Sequence, residues 1–178
     1  LMNELKVIEI LKNELGFSDF SIKKLKEFHI YLLEYNKRYN LISKNTEKSI
    51  WIRHILDSAQ IIKFLDESKD HKIVDFGAGA GFPGLIIGFY NENLKFHVKL
   101  YEKSPVKRAF LNKIKEKLNV KGMDIRNNVY GKEKIVADVI VCRAFKKLEE
   151  ILNISREIIQ KPHKLIILKG KNAQSEIN

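Results

Sequence analysis

A chain of 178 residues, 44% of them hydrophobic, can bury one domain-sized core, which excludes a globally disordered or fibrous protein. No apolar run approaches the roughly 20 residues that cross a bilayer, the N-terminus lacks a signal-peptide pattern, and a single cysteine, Cys142, excludes an internal disulfide and a thiolate metal cluster; a cytoplasmic protein without membrane or metal is expected. The formal charge of +11 is uneven, with 12 Lys and Arg against 11 Asp and Glu in residues 1–70 but 21 against 11 in 71–178, so the second part carries either a face that attracts nucleic acid or a lysine-rich solvated surface.

The first stretch reads as helices. Leu25, Phe28, Leu32, Tyr35 and Tyr39 recur at three- and four-residue steps and place one apolar stripe on a long helix. Ser18 or Ser21 caps its start, and residues 35–40 carry it to its end. A further helix is expected from near Thr46 to about Leu65. The polar, turn-like residues 66–71 then mark the boundary between a helical cap, 1–70, and a sheet domain, 71–178, built as one unit. From Lys72 the pattern alternates. Strands are expected at 73–76, 96–102, 124–127, 137–142 and 165–168, with helices between them, the clearest at 105–118 with Phe110, Ile114 and Leu118 on one side. That alternation implies an α/β fold with a mostly parallel, doubly wound sheet.

The densest local signal is Val74-Asp75-Phe76-Gly77-Ala78-Gly79-Ala80-Gly81-Phe82-Pro83-Gly84. A strand ends at Phe76, glycines turn the chain, and a helix starts near Pro83. Two frames fit. Gly77, Gly79 and Gly81 give the G-x-G-x-G turn of adenosylmethionine sites, whereas Gly79, Gly81 and Gly84 give G-x-G-x-x-G, the dinucleotide fingerprint. The second frame starts late after the strand, and Pro83 removes a donor from the helix start that would receive a pyrophosphate, so the first is favoured. Asp75 either orients the methionine ammonium or caps the turn. Glu102, 27 residues further on at the end of the next strand, is placed to accept the ribose hydroxyls of the cofactor.

These residues resemble the GidB family, the bacterial small-subunit ribosomal RNA guanine-N7 methyltransferases. The resemblance rests on Tyr35-Asn-Lys-Arg-Tyr-Asn-Leu41, Arg53-His-Ile-Leu-Asp-Ser58, Asp75 through Gly84, Lys107-Arg-Ala-Phe-Leu111, Arg143-Ala-Phe145 and Leu168-Lys-Gly170, in that order, over residues 35–170. It implies a class I S-adenosylmethionine methyltransferase fold (Rossmann-like) behind an N-terminal helical cap. It implies S-adenosyl-L-methionine as cofactor, held at Gly77, Gly79, Phe82, Glu102, Val129, Tyr130 and Arg143, and ribosomal RNA or the small ribosomal subunit as partner of a monomer. The family shows an acidic residue where this chain has Tyr130, which could instead stack on adenine, and often Trp where it has Tyr35. The family also continues into a final antiparallel hairpin of the sheet, which this chain is expected to lack.

Arg53, His54 and Asp57 lie within one helical turn, so Arg53 and Asp57 form an ordinary i,i+4 pair or, alternatively, Arg53 or His54 faces RNA phosphate from a lip of the cleft. Lys103, Lys107, Arg108, Lys113, Lys115, Lys117 and Lys121 form a basic helix that is either a solvated face or an RNA contact, Lys107 above all. Arg143, at the mouth of the fourth strand, faces the ligand in this architecture. N7 of guanine carries a lone pair and no proton, so no catalytic base is expected. Two other readings remain: a non-catalytic RNA- or ribosome-binding module, and an NAD-linked oxidoreductase.

Overall fold

The computed structural model describes residues 2–127, 134–143 and 147–169. A first helix, α1 (Glu4–Asn13), is capped by Asn3. In α2 (Asp19–Tyr39) the capping residue is Ser18, whose hydroxyl accepts the Ser21 N–H at 3.0 Å. Leu25, Phe28 and Leu32 are fully buried, as the stripe requires. The stripe runs out at its end, where Tyr35 packs against the edge of the core and Tyr39 lies outside it. The next buried position is Asn36, with Tyr35 half-buried and Tyr39 47% exposed. Asn36 takes the inner position because its amide closes the following turn: Oδ1 accepts the Ile42 N–H at 2.8 Å and Nδ2 donates to Glu47. Asn40, left-handed at φ 47°, ends the helix.

The helix expected at 46–65 is present but interrupted by a turn at 48–49, and from 50 to Phe64 it runs on with a changing hydrogen-bond pattern. A short α3 (Lys44–Glu47) is followed by a π-helical turn (Trp51–Leu56), α4 (Asp57–Ala59) and a 3₁₀ turn (Gln60–Phe64). Thr46 donates its hydroxyl to the Ser43 carbonyl and Ser49 donates to the Thr46 carbonyl, local bonds that compete with a continuous helix.

Five strands follow: β1 (His71–Phe76), β2 (Phe96–Tyr101), β3 (Met123–Arg126), β4 (Val139–Arg143) and β5 (Lys164–Leu168). All neighbours are parallel, in the order β3-β2-β1-β4-β5, so the chain reverses its direction of winding on either side of β1. Every expected strand is present, with ends displaced by at most two residues, and β4 extends to Arg143. Side-chain alternation sends Ile73, Val98, Leu100, Val139 and Val141 to one face, against α2, α5 (Gly84–Tyr90) and α6 (Pro105–Lys117). Val74, Phe76, Ile140 and Cys142 point to the other, against Ile151, Ile154 and Ile158 of α7 (Leu148–Ile158). Phe28 of α2 ties the helical cap to the first layer, with ring centres 5.7, 5.5 and 6.2 Å from those of Phe82, Phe89 and Phe110. Among the described residues no helix is long and apolar enough to cross a membrane.

Candidate cofactor site

The site is built at the carboxyl end of β1, beside the reversal of winding, where ligands of doubly wound sheets sit. Gly77, Gly79 and Gly81 have φ of 74°, 57° and 107°, conformations that side chains disfavour, and they turn the chain over the strand ends. The N–H groups of Gly77 and Ala78 both donate to the Tyr101 carbonyl, at 2.9 and 3.0 Å, fixing the turn to the end of β2. The next helix, α5, begins at Gly84, one residue beyond the expected start, with Pro83 as its cap residue. Gly84 is needed for close approach: a Cβ there would lie 2.1 Å from Leu100 Cδ2 and 2.6 Å from Asp75 Oδ2.

Asp75 is fully buried. Its Oδ2 accepts the Gly84 N–H at 2.8 Å, so it does cap the helix after the turn, while its Oδ1 has no hydrogen-bond partner. Burial pushes the carboxyl up to about 7, against the opposing pull of the Gly84 N–H and Arg143. Pro83 has no N–H and that of Gly84 is taken, so the start of α5 is closed to a pyrophosphate, which removes the physical basis of the dinucleotide reading. At the end of β2, Glu102 is 7% exposed; Oε2 accepts the Gly79 N–H and Oε1 the Ser104 N–H, each at 2.8 Å. Each oxygen keeps a second lone pair for a ligand hydroxyl.

Arg143, the last residue of β4, reaches back to the helical cap. Its Nη1 donates to the Arg53 carbonyl at 3.1 Å and its Nη2 to His54 Nδ1 at 2.7 Å, and its guanidinium lies 5.0 Å from the centre of the Phe82 ring. His54 stacks on the same ring at 5.0 Å. Because Nδ1 accepts, the ring proton sits on Nε2, which donates to Thr46 Oγ1 at 2.9 Å. Burial, with the charges of Arg143 and Arg53, lowers His54 to about 4 and keeps it neutral. Asp57 turns its carboxylate to Arg143 at 3.9 Å.

The structure thus brings Gly77, Gly79, Phe82, Glu102 and Arg143 to one end of the sheet, with Arg53 and His54 beside Arg143. Lys107 lies in the first turn of α6, just beyond Glu102. Val129 and Tyr130 lie outside the described residues. Sequence reasoning missed Arg108, grouped there with the basic face. Its Nη1 donates to the carbonyls of Glu102 and Lys103 and to Asn127 Oδ1, at 2.9, 2.7 and 2.9 Å, and so anchors the end of β2 to the loop after β3. Its place in the Lys107–Leu111 motif was the available signal. Among the described residues no group of three or more His, Cys, Asp or Glu is placed to hold a metal ion.

These residues fit S-adenosylmethionine: a left-handed glycine turn directly after β1, a buried carboxylate with an orphaned oxygen suited to an ammonium, and an acid at the end of β2. Together with the parallel sheet they define a class I S-adenosylmethionine-dependent methyltransferase. Solved structures agree on the fold. The crystal structure of coclaurine N-methyltransferase bound to N-methylheliamine and SAH superposes with a TM-score of 0.55 at 15% identity, covering 92% of this chain and 62% of that one. The Pyrococcus horikoshii TYW2 structure in complex with MeSAdo gives 0.52 at 21% identity, over 63% and 42%. In both cases this chain spans less than two thirds of the other.

The family is set by sequence. Residues 21–178 match GidB, described as rRNA small subunit methyltransferase G. Two proteins named ribosomal RNA small subunit methyltransferase G are each 38% identical: that of Rickettsia felis over 156 residues, covering 88% of this chain and 78% of its own length, and that of Pelagibacter ubique over 175 residues, covering 93% and 82%. The chain belongs to the GidB family.

Proposed function

We propose that this protein transfers a methyl group from S-adenosylmethionine to N7 of a guanine in small-subunit ribosomal RNA, as a monomer in the cytoplasm. The observation that carries the reading is the convergence of the Gly77–Gly81 turn, Asp75, Glu102 and Arg143 at one end of the sheet in a chain of this family.

When bound, S-adenosylmethionine supplies a methyl group on a positively charged sulfur; the methyl passes to the N7 lone pair as the carbon–sulfur bond breaks, with its electron pair left on sulfur. N7 has no proton to lose, so no side chain has to act as a base. What the protein contributes is orientation. Glu102 is held by two backbone N–H groups at the place where ribose hydroxyls can share its remaining lone pairs. Asp75 presents its unpartnered oxygen beneath the turn. Phe82 is held between the turn and the helical cap, with His54 stacked and Arg143 packed on it, so that this side of the turn is fixed. His54 has both ring nitrogens engaged inside the protein and acts as a positioning residue for Arg143. The exposed side chain of Arg53 and that of Lys107 are then the groups on this rim that meet RNA phosphate, while Gly77, Gly79, Phe82, Glu102 and Arg143 meet the cofactor.

The test is transfer of a labelled methyl group to small-subunit ribosomal RNA, naked and in assembled subunits, followed by mapping of the modified base. Label at guanine N7 is expected. Label on another atom would overturn the specificity, and absence of transfer to either substrate would overturn the reading.

A further inference from the structure

The end of α2 carries its tyrosines out of the core: Tyr31 and Tyr35 pack against its edge and Tyr39 stands outside it. Tyr31, Tyr35 and Tyr39 follow one another at four-residue steps, which places them on one stripe of the helix at a rise of about 6 Å per step. The first two are half-buried and the third is 47% exposed. The rings of Tyr35 and Tyr39 are 6.0 Å apart, and Lys113 of α6 sits 4.9 Å from the centre of the Tyr35 ring. Arg38, exposed, stands beside Tyr39 in the same last turn, and Lys107 lies on α6. The nearby acids are Glu34 and Glu47, the latter bonded to Asn36.

The position of this stripe matters. The start of α2 lies at the amino ends of the strands, since Ser21 bonds the Phe89 carbonyl at the end of α5 and Lys24 that of Asn119 just after α6. Its other end therefore points to the carboxyl ends of the strands. There Tyr35 packs on Phe110, with ring centres 5.2 Å apart, and Asn36 bonds Ile42 and Glu47 on either side of Thr46, the partner of His54.

We propose that Tyr35 and Tyr39, with Lys113 and Arg38, form a platform on which unpaired nucleotides of the RNA substrate stack beside the target base. Exposed aromatic rings accept any base by its π-face, and cations interleaved with them meet the phosphates between successive bases. The proposal rests on the RNA methyltransferase reading and extends it to a surface for single-stranded substrate.

The test uses the full chain, a short unpaired oligoribonucleotide and the same sequence annealed as a duplex. Tyr39→Ala is expected to weaken binding of the unpaired RNA about tenfold. Tyr39→Phe, which keeps the ring, should restore it to within about twofold, and S-adenosylhomocysteine affinity should stay at the parent value in both. Equal RNA affinity in Tyr39→Ala and the parent overturns the platform, as does equal preference of the parent for duplex and single strand, or a fall in S-adenosylhomocysteine affinity that parallels the fall for RNA. A parent that binds unpaired RNA through Tyr39 yet transfers no methyl group keeps the platform and overturns the enzymatic reading.

Discussion

Replacing Asp75 by Asn, and separately His54 by Gln, should expose two opposing pH dependences that the parent protein superimposes. Burial pushes Asp75 up to about 7, well above the roughly 3.9 of an unfolded chain. Between those values the folded state keeps a proton that the unfolded state has released, so stability falls as pH rises, by about 1.4 kcal/mol per unit and about 4 kcal/mol in all. His54 has the reverse sign. Burial first, and the charges of Arg143 and Arg53 after it, lower it to about 4 from 6.5, so between those values the unfolded chain takes up a proton that the folded chain refuses. Stability there rises with pH, by a smaller amount because the ring is only partly enclosed. The two limbs share the window from about pH 4 to 6.5. The parent should therefore show a shallow profile, Asp75→Asn a rising one and His54→Gln a falling one. Urea unfolding followed through Trp51, the single and largely buried tryptophan, measures this. Between pH 5 and 8 the stability difference between Asp75→Asn and the parent should grow by about 3 kcal/mol in favour of the variant. A difference that is constant over that range would refute the raised carboxyl, and with it the claim that Oδ1 is buried without a partner.

Three further perturbations bear on the site. Gly77→Val places a branched side chain at φ 74°, and calorimetry should show S-adenosylhomocysteine binding abolished while filter binding of RNA is retained. Gly84→Ala drives a methyl group into Leu100 and Asp75, so the urea midpoint should fall by the equivalent of about 1–3 kcal/mol. The double variant Lys107→Glu, Lys113→Glu should weaken RNA binding, flatten its salt dependence by about one in slope for each phosphate no longer neutralised, and leave S-adenosylhomocysteine affinity unchanged. An unaltered salt slope would make α6 a solvated face.

The parts of this protein that sequence showed well are those governed by local rules. A parallel sheet buried on both faces needs apolar runs, and each of the five expected strands is found within two residues of its expected ends. The glycine turn and Glu102 could be placed because both follow directly from strand ends. The features that escaped depend on side chains meeting across long stretches of chain. Arg143 meets His54 across 89 residues, and nothing in either neighbourhood announces the other. The same holds for Arg108, whose guanidinium bonds Asn127 19 residues away and thereby stops being part of a basic face. Periodicity misled in one place for an instructive reason. It ran one apolar stripe from Leu25, Phe28 and Leu32 through Tyr35, which still packs against the core, to Tyr39, which is 47% exposed, because a helix can follow its apolar period past the point where the core ends.

That overshoot also shows how the helical cap and the sheet are joined. The cap packs on the sheet through Phe28, which touches Phe82, Phe89 and Phe110, and at the strand ends the packing changes from apolar to polar. There Arg143 bonds the Arg53 carbonyl and His54, His54 bonds Thr46, and both Arg143 and His54 rest on Phe82. A guanidinium shared among a backbone carbonyl, an imidazole, a carboxylate and an aromatic face is satisfied only while the cap and the glycine turn keep their relative positions. A change in the cofactor loop at Phe82 would therefore be felt at Arg53 and His54, and through Asn36 and Glu47 at the end of α2. The glycine turn and the surface proposed to meet RNA are in this way joined by one set of hydrogen bonds, so removal of the Arg143 side chain should disturb both ligands while removal of the Tyr39 ring disturbs only one.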